Sequence, residues 1–252
     1  MNFYMRNLKI FWTVKKMNNE FPLVSVLMST FNSEKTLERA INSILNQSYK
    51  HIEFLICNDG STDNTIKILE KYSNQYDQIE IINNKKNIGL TKSLNLLIDK
   101  SRGDFIARQD ADDYSDPERI KEQIKHCMNN KFHAVFTRSY DLIKKTSMQN
   151  ISYLIPYKIL VNFRNPFVHG TMLINSNIIK KLGGYDEDFY FAQDYKLYRD
   201  LIDNGIKIKK ERKVLYYLNT KNNISNLRKK EQKYYANCVK NRQIPKSNLN
   251  ND

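Results

Sequence analysis

The stretch Gly103-Asp104-Phe105-Ile106-Ala107-Arg108-Gln109-Asp110-Ala111-Asp112-Asp113 decides how the rest of the chain is read. Phe105 to Ala107 is a short apolar run suited to a buried strand, and Asp110, Asp112 and Asp113 crowd its C-terminal end. Acids this close repel one another unless a cation or hydrogen-bond donors balance them. A helix start follows: Asp116 suits the cap, Pro117 the first turn, and Glu118 the positive end of the dipole. The acids thus stand between a strand end and a helix start, where open α/β sheets bind ligands. A solvated acidic loop is the plainer alternative.

Toward the N-terminus the same unit repeats. Leu23 to Met28, Ile52 to Cys57 and Ile79 to Ile82 read as strands, each ending in a polar loop. Between them lie helical patterns, one carrying Leu37, Ala40, Ile41, Ile44 and Leu45, the next Ile66, Ile68 and Leu69. A third opens at Asn87-Ile88-Gly89-Leu90 and runs through Leu94, Leu97 and Ile98. This alternation predicts a Rossmann-like α/β fold with a mostly parallel central sheet flanked by helices. The strand-end loops then share one edge, and Asp59 should face the same crevice as the 110–113 acids.

On the C-terminal side the pattern is looser. A helix is expected over 117–128, a strand over Ala134 to Thr137, and irregular chain to Asn165. Met172 to Ile174 reads as a strand, Tyr195 to Ile202 as a helix, and Val214 to Leu218 as a last strand. Leu227 to Val239 suits a weak basic helix, and the final dozen residues a disordered end.

The chain has 252 residues, 40% hydrophobic and 12% aromatic, which is globular rather than disordered. No apolar run is long enough to span a bilayer. Cys57, Cys127 and Cys238 have neither zinc spacing nor disulfide arithmetic and read as free thiols of a reducing compartment. The formal net charge of +14 sits wholly at the ends, in residues 1–16 and 206–252. That distribution suits attraction of the basic termini to an anionic membrane better than a nucleic-acid groove, and no nucleic acid is expected as a partner. Solubilising basic tails are the alternative. Residues 1–16 read either as an interfacial helix or as sequence upstream of a true start at Met17. The body is expected over 21–218, with 1–20 an extension and 219–252 a basic, partly disordered tail.

Neither GxGxxG after the first strand nor GxxxxGK[ST] is present, so a phosphate here must be met by metal and side chains. Asp194 opens a helix, where an N-cap role is the plain explanation. His169 is either an acceptor, diphosphate or metal contact or a hydrogen-bonded structural histidine. Lys92 and Arg119 suit phosphate contacts or exposed helix positions. Tyr185, Phe189, Tyr190 and Phe191 suit sugar stacking or simple packing.

Five segments in order then resemble the family 2 glycosyltransferases of the GT-A fold: Val24-Ser25-Val26-Leu27-Met28-Ser29-Thr30-Phe31-Asn32, Asn58-Asp59-Gly60-Ser61-Thr62-Asp63, Asn87-Ile88-Gly89-Leu90, Asp110-Ala111-Asp112-Asp113, and Gly183-Gly184-Tyr185-Asp186 with Gln193-Asp194-Tyr195. They span roughly residues 22–218. The resemblance implies an inverting enzyme that moves a sugar from a nucleotide-diphosphate donor, a UDP-sugar first of all, to a carbohydrate, lipid-linked or protein hydroxyl. Cell-surface polysaccharide, glycolipid or glycoprotein assembly is the implied setting. It also implies a nucleotide-sugar half over about 21–116 and an acceptor half over about 117–218.

By the same resemblance, Thr30, Phe31 and Glu34 hold the base and ribose and Asp59 accepts from the base; Lys92 is a further donor-side candidate from its own position. Asp110 and Asp112 are the DXD acids, with Asp112 and Asp113 as candidate ligands of Mn²⁺ or Mg²⁺. Asp194 is the catalytic base, and His169, Tyr185 and Gln193 are acceptor-side candidates. The family more often has Glu where this chain has Gln193, which bears on positioning. A cytoplasmic protein at the inner face of a membrane is expected. A sugar-phosphate nucleotidyltransferase is the alternative enzyme, disfavoured by the lack of glycine over Thr30 to Glu34. A non-catalytic anion or nucleic-acid binding protein is the alternative of another class.

Overall fold

The structure, a computed structural model, describes residues 21–128, 131–148, 153–221 and 228–246. The extension at 1–20, with its interfacial-helix or upstream reading, lies outside the described residues. Strands β1 (Val24–Thr30), β2 (Ile52–Asn58), β3 (Ile79–Asn83) and β4 (Phe105–Arg108) alternate with helices α1 (Leu37–Leu45), α2 (Thr65–Gln75) and α3 (Leu90–Lys100). Then come β5 (Tyr114–Ser115), α4 (Arg119–Cys127), β6 (Ala134–Asp141), β7 (Thr146–Ser147) and α5 (Tyr157–Leu160). A short 3-10 turn at His169–Thr171 leads into β8 (Met172–Asn175), α6 (Ser176–Lys181), α7 (Gln193–Asp203), β9 (Ile208–Leu218) and α8 (Lys229–Asn241).

The sheet order is β3-β2-β1-β4-β8-β6-β9-β5, with β7 beside β6. The first four strands pair in parallel, and β6 pairs in parallel with β9. Strand β8 runs antiparallel to both β4 and β6. The sequence patterns of β1 and β2 are continuously apolar because both faces are covered, as is usual in a parallel sheet. Val24, Val26 and Met28 pack with Leu37, Ile41 and Ile44 of α1, Leu69 of α2 and Ile120 of α4. Leu27 points the other way, toward Leu94 and Leu97 of α3 and Leu197 and Leu201 of α7. The result is a three-layer α/β/α body.

Glu53, buried in the middle of β2, is an apparent contradiction that hydrogen bonding resolves. Its Oε1 accepts from Ser25 Oγ (2.5 Å), Arg102 N (2.7 Å) and Gly103 N (3.1 Å), and Arg102 Nη2 stands 2.7 Å from Oε2. A buried carboxylate with three donors on one oxygen and a guanidinium beside the other fixes the turn that launches β4 and thereby the acid-bearing loop beyond it.

The last strand departs from expectation. Strand β9 begins at Ile208, six residues before the expected Val214. Its first half, Ile208-Lys209-Lys210-Glu211-Arg212-Lys213, is too charged to look like a strand, yet Ile208 and Glu211 are buried, and Ile208, Lys209 and Lys210 pair along β6. The basic end is not wholly loose either. Helix α8 buries Tyr235, Cys238 and Val239 against Val161, Phe189, Ala192 and Tyr195. Beyond it, Gln243 N donates to Cys238 O (2.9 Å) and Lys246 N to Tyr234 Oη (2.9 Å), so the expected disorder does not start at residue 241. The rest of that expectation, 247–252, lies outside the described residues. All three cysteines are free and buried. No described helix is long and apolar enough to cross a membrane.

Candidate active site

From β1 the sheet grows one way through β2 and β3 and the other way through β4, so the order reverses between β1 and β4. The crevice beyond the C-terminal ends of two such strands is where α/β sheets take ligands. Three loops along this rim lock together. Asn32 N donates to Ser61 Oγ (3.0 Å) while Asn32 Oδ1 accepts from Thr62 N (2.8 Å). Glu34 N donates to Asp63 Oδ2 (3.1 Å), and Glu34 Oε2 accepts from Asn64 N (3.1 Å). Asp59 then reaches the third loop: Oδ1 accepts from Asn84 Nδ2 (2.8 Å) and Ile88 N (2.9 Å), and Oδ2 from Gly89 N (2.9 Å). Gly60 permits the approach, since its φ is +73° and a Cβ there would sit 2.6 Å from the Asn87 and Lys86 backbone.

On the other side of the reversal, the 110–113 loop is pinned at several backbone groups. Arg108 is buried at the end of β4 and donates through Nη2 to Asp110 Oδ1 (2.6 Å) and through Nη1 to Leu27 O (3.2 Å). Gln109 Nε2 donates to Asp110 O (3.0 Å), and its Oε1 accepts from Ser115 Oγ (2.6 Å). Tyr216 Oη accepts from Asp110 N (3.1 Å), and Arg39 Nη2 donates to Asp112 O (2.7 Å). Asp113 turns inward, its Oδ1 accepting from Asn219 N (2.7 Å) at the end of β9.

The loop is short of positive charge. Arg108 is committed to Asp110, whose charge then acts on the other two acids. Burial, then Asp110, pushes the Asp112 carboxyl up to about 6. Burial, Asp110 and Asp112 push the Asp113 carboxyl well above the usual carboxylate range. Among the described residues no other residue donates to the Asp112 carboxylate. The same region contains no group of three His, Cys, Asp or Glu side chains able to hold a metal unaided. An oxygen-only, under-neutralised pair of acids fits a hard cation that takes its remaining ligands from a phosphate.

Asp194 lies in the first turn of α7, beyond the left-handed Ala192 (φ 55°). It does not cap the helix. Its Oδ2 accepts from Asn165 Nδ2 (2.7 Å) and its Oδ1 from Tyr195 N (2.7 Å). Burial raises its carboxyl to about 6 against these two bonds, and the Asp110 charge adds to the rise. Asp194 therefore stands within electrostatic reach of Asp110 in the acid loop. His169 and Tyr185, joined Nε2 to Oη at 2.7 Å, lie in the same electrostatic neighbourhood. Burial and the Arg108 charge depress His169 to about 3, so the imidazole is neutral near pH 7. Tyr185 is buried, as is Gln193 beside the base.

The structure thus brings Asp110, Asp112, Asp113, His169, Tyr185, Gln193 and Asp194 into one region. Thr30 is buried at the end of β1 with its hydroxyl unpartnered, while Phe31 is 46% exposed. Lys92 is exposed on the first turn of α3. Arg119 is neither a phosphate contact nor an exposed helix residue. It is fully buried, donating through Nη1 to Arg108 O (3.0 Å) and Gly170 O (2.8 Å) over the Tyr216 ring. The aromatic group divides, with Phe189 and Tyr185 in the core and Tyr190 half exposed. Sequence reasoning gave no role to Arg108, Asn165 or Tyr216. A lone cation inside an apolar strand, next to three acids, was the available signal for Arg108.

Residues 25–200 match the family described as Glycosyl transferase family 2, and the chain belongs to it. It is 36% identical over 170 residues to EpsE of Bacillus subtilis (strain 168), a glycosyltransferase by assignment, covering 66% of this chain and 61% of that protein. The chain thus spans about three-fifths of that relative's length. Among solved structures it is similar to S. aureus TarS 1-349 in complex with UDP (TM-score 0.67, 21% identity, 79% of this chain and 60% of that one). It is also similar to the mannosyltransferase PcManGT from Pyrobaculum calidifontis in complex with GDP-Man and Mn²⁺ (TM-score 0.70, 16% identity, 89% of this chain and 64% of that one). At such identities these two establish the fold, which is GT-A.

Proposed function

We propose that the chain is an inverting glycosyltransferase that moves a sugar from a nucleotide-diphosphate donor, a UDP-sugar, to an acceptor hydroxyl. The observation that carries the reading is the electrostatic proximity of Asp194 and Asp110. It puts a carboxylate titrating at about 6 within reach of the acid loop at the sheet's reversal. A base with that value is ionised at pH 7 yet basic enough to accept a proton.

Asp194 would take the proton from the acceptor hydroxyl as its oxygen bonds to the anomeric carbon. The bond from that carbon to the diphosphate breaks on the opposite face, and configuration inverts. General-base assistance of this kind contributes roughly 10²–10⁴-fold in rate. Asn165 and Tyr195 N orient the carboxylate, and neutral His169 with Tyr185 lines the space toward the acids. Asp112, with Asp113 behind it, would hold Mn²⁺ or Mg²⁺, which when bound neutralises charge on the departing diphosphate. Asp59 has three donors, and a carboxylate offers about four acceptor directions, leaving room for one base N–H. Thr30, Phe31, Glu34 and Lys92 complete the donor side of this reading.

The acceptor belongs to cell-surface polysaccharide, glycolipid or glycoprotein assembly on this reading. Exposed Lys229, Lys230 and Lys233 of α8 support a place at the anionic cytoplasmic face of a membrane. The test is a panel of nucleotide sugars with Mn²⁺ or Mg²⁺, reading released nucleoside diphosphate with and without EDTA. Release from one or two UDP-sugars, abolished by EDTA and by Asp112→Ala, is expected. Release untouched by both would contradict the reading.

A further inference from the structure

The chain from Leu142 to Tyr185 contains no Asp or Glu, yet holds six Lys or Arg, in a body where acids are otherwise frequent. In its middle the structure exposes apolar side chains that a folded surface ordinarily covers. Leu154 is 80% exposed, Phe163 66%, Ile159 53% and Ile155 37%. They cluster on α5 and the turns flanking it, with Ile159 and Phe163 one helical step apart. The same short segment buries Leu160 and Val161 on its inner side. It is therefore a folded amphipathic element, held by Tyr195 Oη and by Arg199, both of which donate to Val161 O or its neighbour Asn162. Lys158 and Arg164 are exposed among the apolar residues. Basic α8 packs on the same inner cluster through Tyr235, Cys238 and Val239.

Apolar side chains interleaved with bases, no acid in the segment itself and a second basic helix alongside are what an anionic bilayer surface selects. We infer that the segment 154–164 is a membrane-docking surface, in which Leu154, Ile155, Ile159 and Phe163 enter the headgroup boundary while Lys158 and Arg164 meet lipid phosphates. Charge decides against a second copy of this chain as the occupant, because the patch would then face its own excess of bases. The location has a consequence. Asn165, the residue after Arg164, donates to Asp194 Oδ2, so docking brings the base close to the bilayer. On the proposed function, the acceptor would then arrive from the lipid side.

The test is co-sedimentation of the full chain with phosphatidylcholine vesicles, with or without 30% phosphatidylglycerol. It uses no sugar donor, so its outcome is separate from that of the transfer reaction. Binding is expected to anionic vesicles, weakened at high salt. Ile159→Ser with Phe163→Ser should lower partitioning at least tenfold, and Lys158→Gln with Arg164→Gln roughly fivefold per base removed. Phe21→Ser, 65% exposed in the wild type but at the N-terminal edge of the strands, should change nothing. Circular dichroism and thermal melts confirm that each variant folds. Unchanged binding of the Ile159/Phe163 variant overturns the inference, as does binding lost only when Lys229, Lys230 and Lys233 are changed to Gln. A dimer that disappears with Phe163→Ser would assign the patch to a second copy and overturn it equally.

Discussion

Asn165 Nδ2 donates a 2.7 Å hydrogen bond to Asp194 Oδ2, tying an irregular segment to the first turn of α7. The bond favours the ionised carboxylate, whereas burial opposes it. Asn165→Ala should therefore raise the Asp194 pKa above its present value of about 6. Because the base acts deprotonated, activity falls as pH drops through that pKa, and the acid limb should move to higher pH. Hydrogen bonds to charged groups are worth about 1.5–3 kcal/mol, or roughly one to two pH units. A pH–rate profile checks this; a limb that stays in place removes Asn165 from the account.

Asp112 carries a cost that a cation would relieve. Its carboxyl is raised to about 6 from 3.8, so between those values the folded chain binds more protons than the unfolded one. Stability accordingly falls as pH rises through that window. Asp112→Asn should stabilise the metal-free chain at pH 7 by about 1–2 kcal/mol, after allowing for solvent screening, and do little at pH 3.5. Millimolar Mn²⁺ should raise the wild-type melting temperature and leave that of the variant unchanged.

Gly170 sits under the Tyr216 ring so closely that a Cβ would overlap its hydroxyl. That hydroxyl accepts from Asp110 N and bonds the Asp113 carboxylate. Gly170→Ala should push Tyr216 aside and release the acid loop, costing about 1–3 kcal/mol in urea unfolding. Donor-dependent nucleotide release should fall with it, while Gly183→Ala, whose Cβ would meet nothing within 4 Å, should cost only its backbone strain (φ +85°) and spare the loop.

Arg108 donates to three acceptors from a buried position, and the Asp110 charge keeps it ionised there against burial. Arg108→Leu leaves Asp110 without its cation and should destabilise the fold by about 3 kcal/mol. Arg108→Lys should recover only part of this, since an ammonium cannot span the same acceptors. Equilibrium denaturation of both variants decides it.

The parallel half of the molecule was legible because β1, β2 and β4 are buried on both faces and announce themselves as unbroken apolar runs. The place of Asp194 at a helix start was legible from the pattern after Gly183-Gly184-Tyr185. What stayed hidden was long-range. Nothing local in Arg119 tells that its guanidinium is buried between Arg108 O and Gly170 O, and nothing in Asn165 tells that it faces Asp194. The charged start of β9 was hidden for a related reason, since its lysines are paired to β6 through backbone and not through apolar side chains. The motif Asn58-Asp59-Gly60-Ser61-Thr62-Asp63 hid a second role. Most of its polar groups bind neighbouring loops, Asp59 among them.

The most direct measurement separates donor binding from transfer in Asp194→Asn, which removes the base without changing the side chain's shape. With the UDP-sugar that the wild type uses, calorimetry should give donor affinity within threefold of wild type, while transfer to acceptor falls by at least 10². Transfer at the wild-type rate in that variant would contradict the assignment of Asp194 as the base.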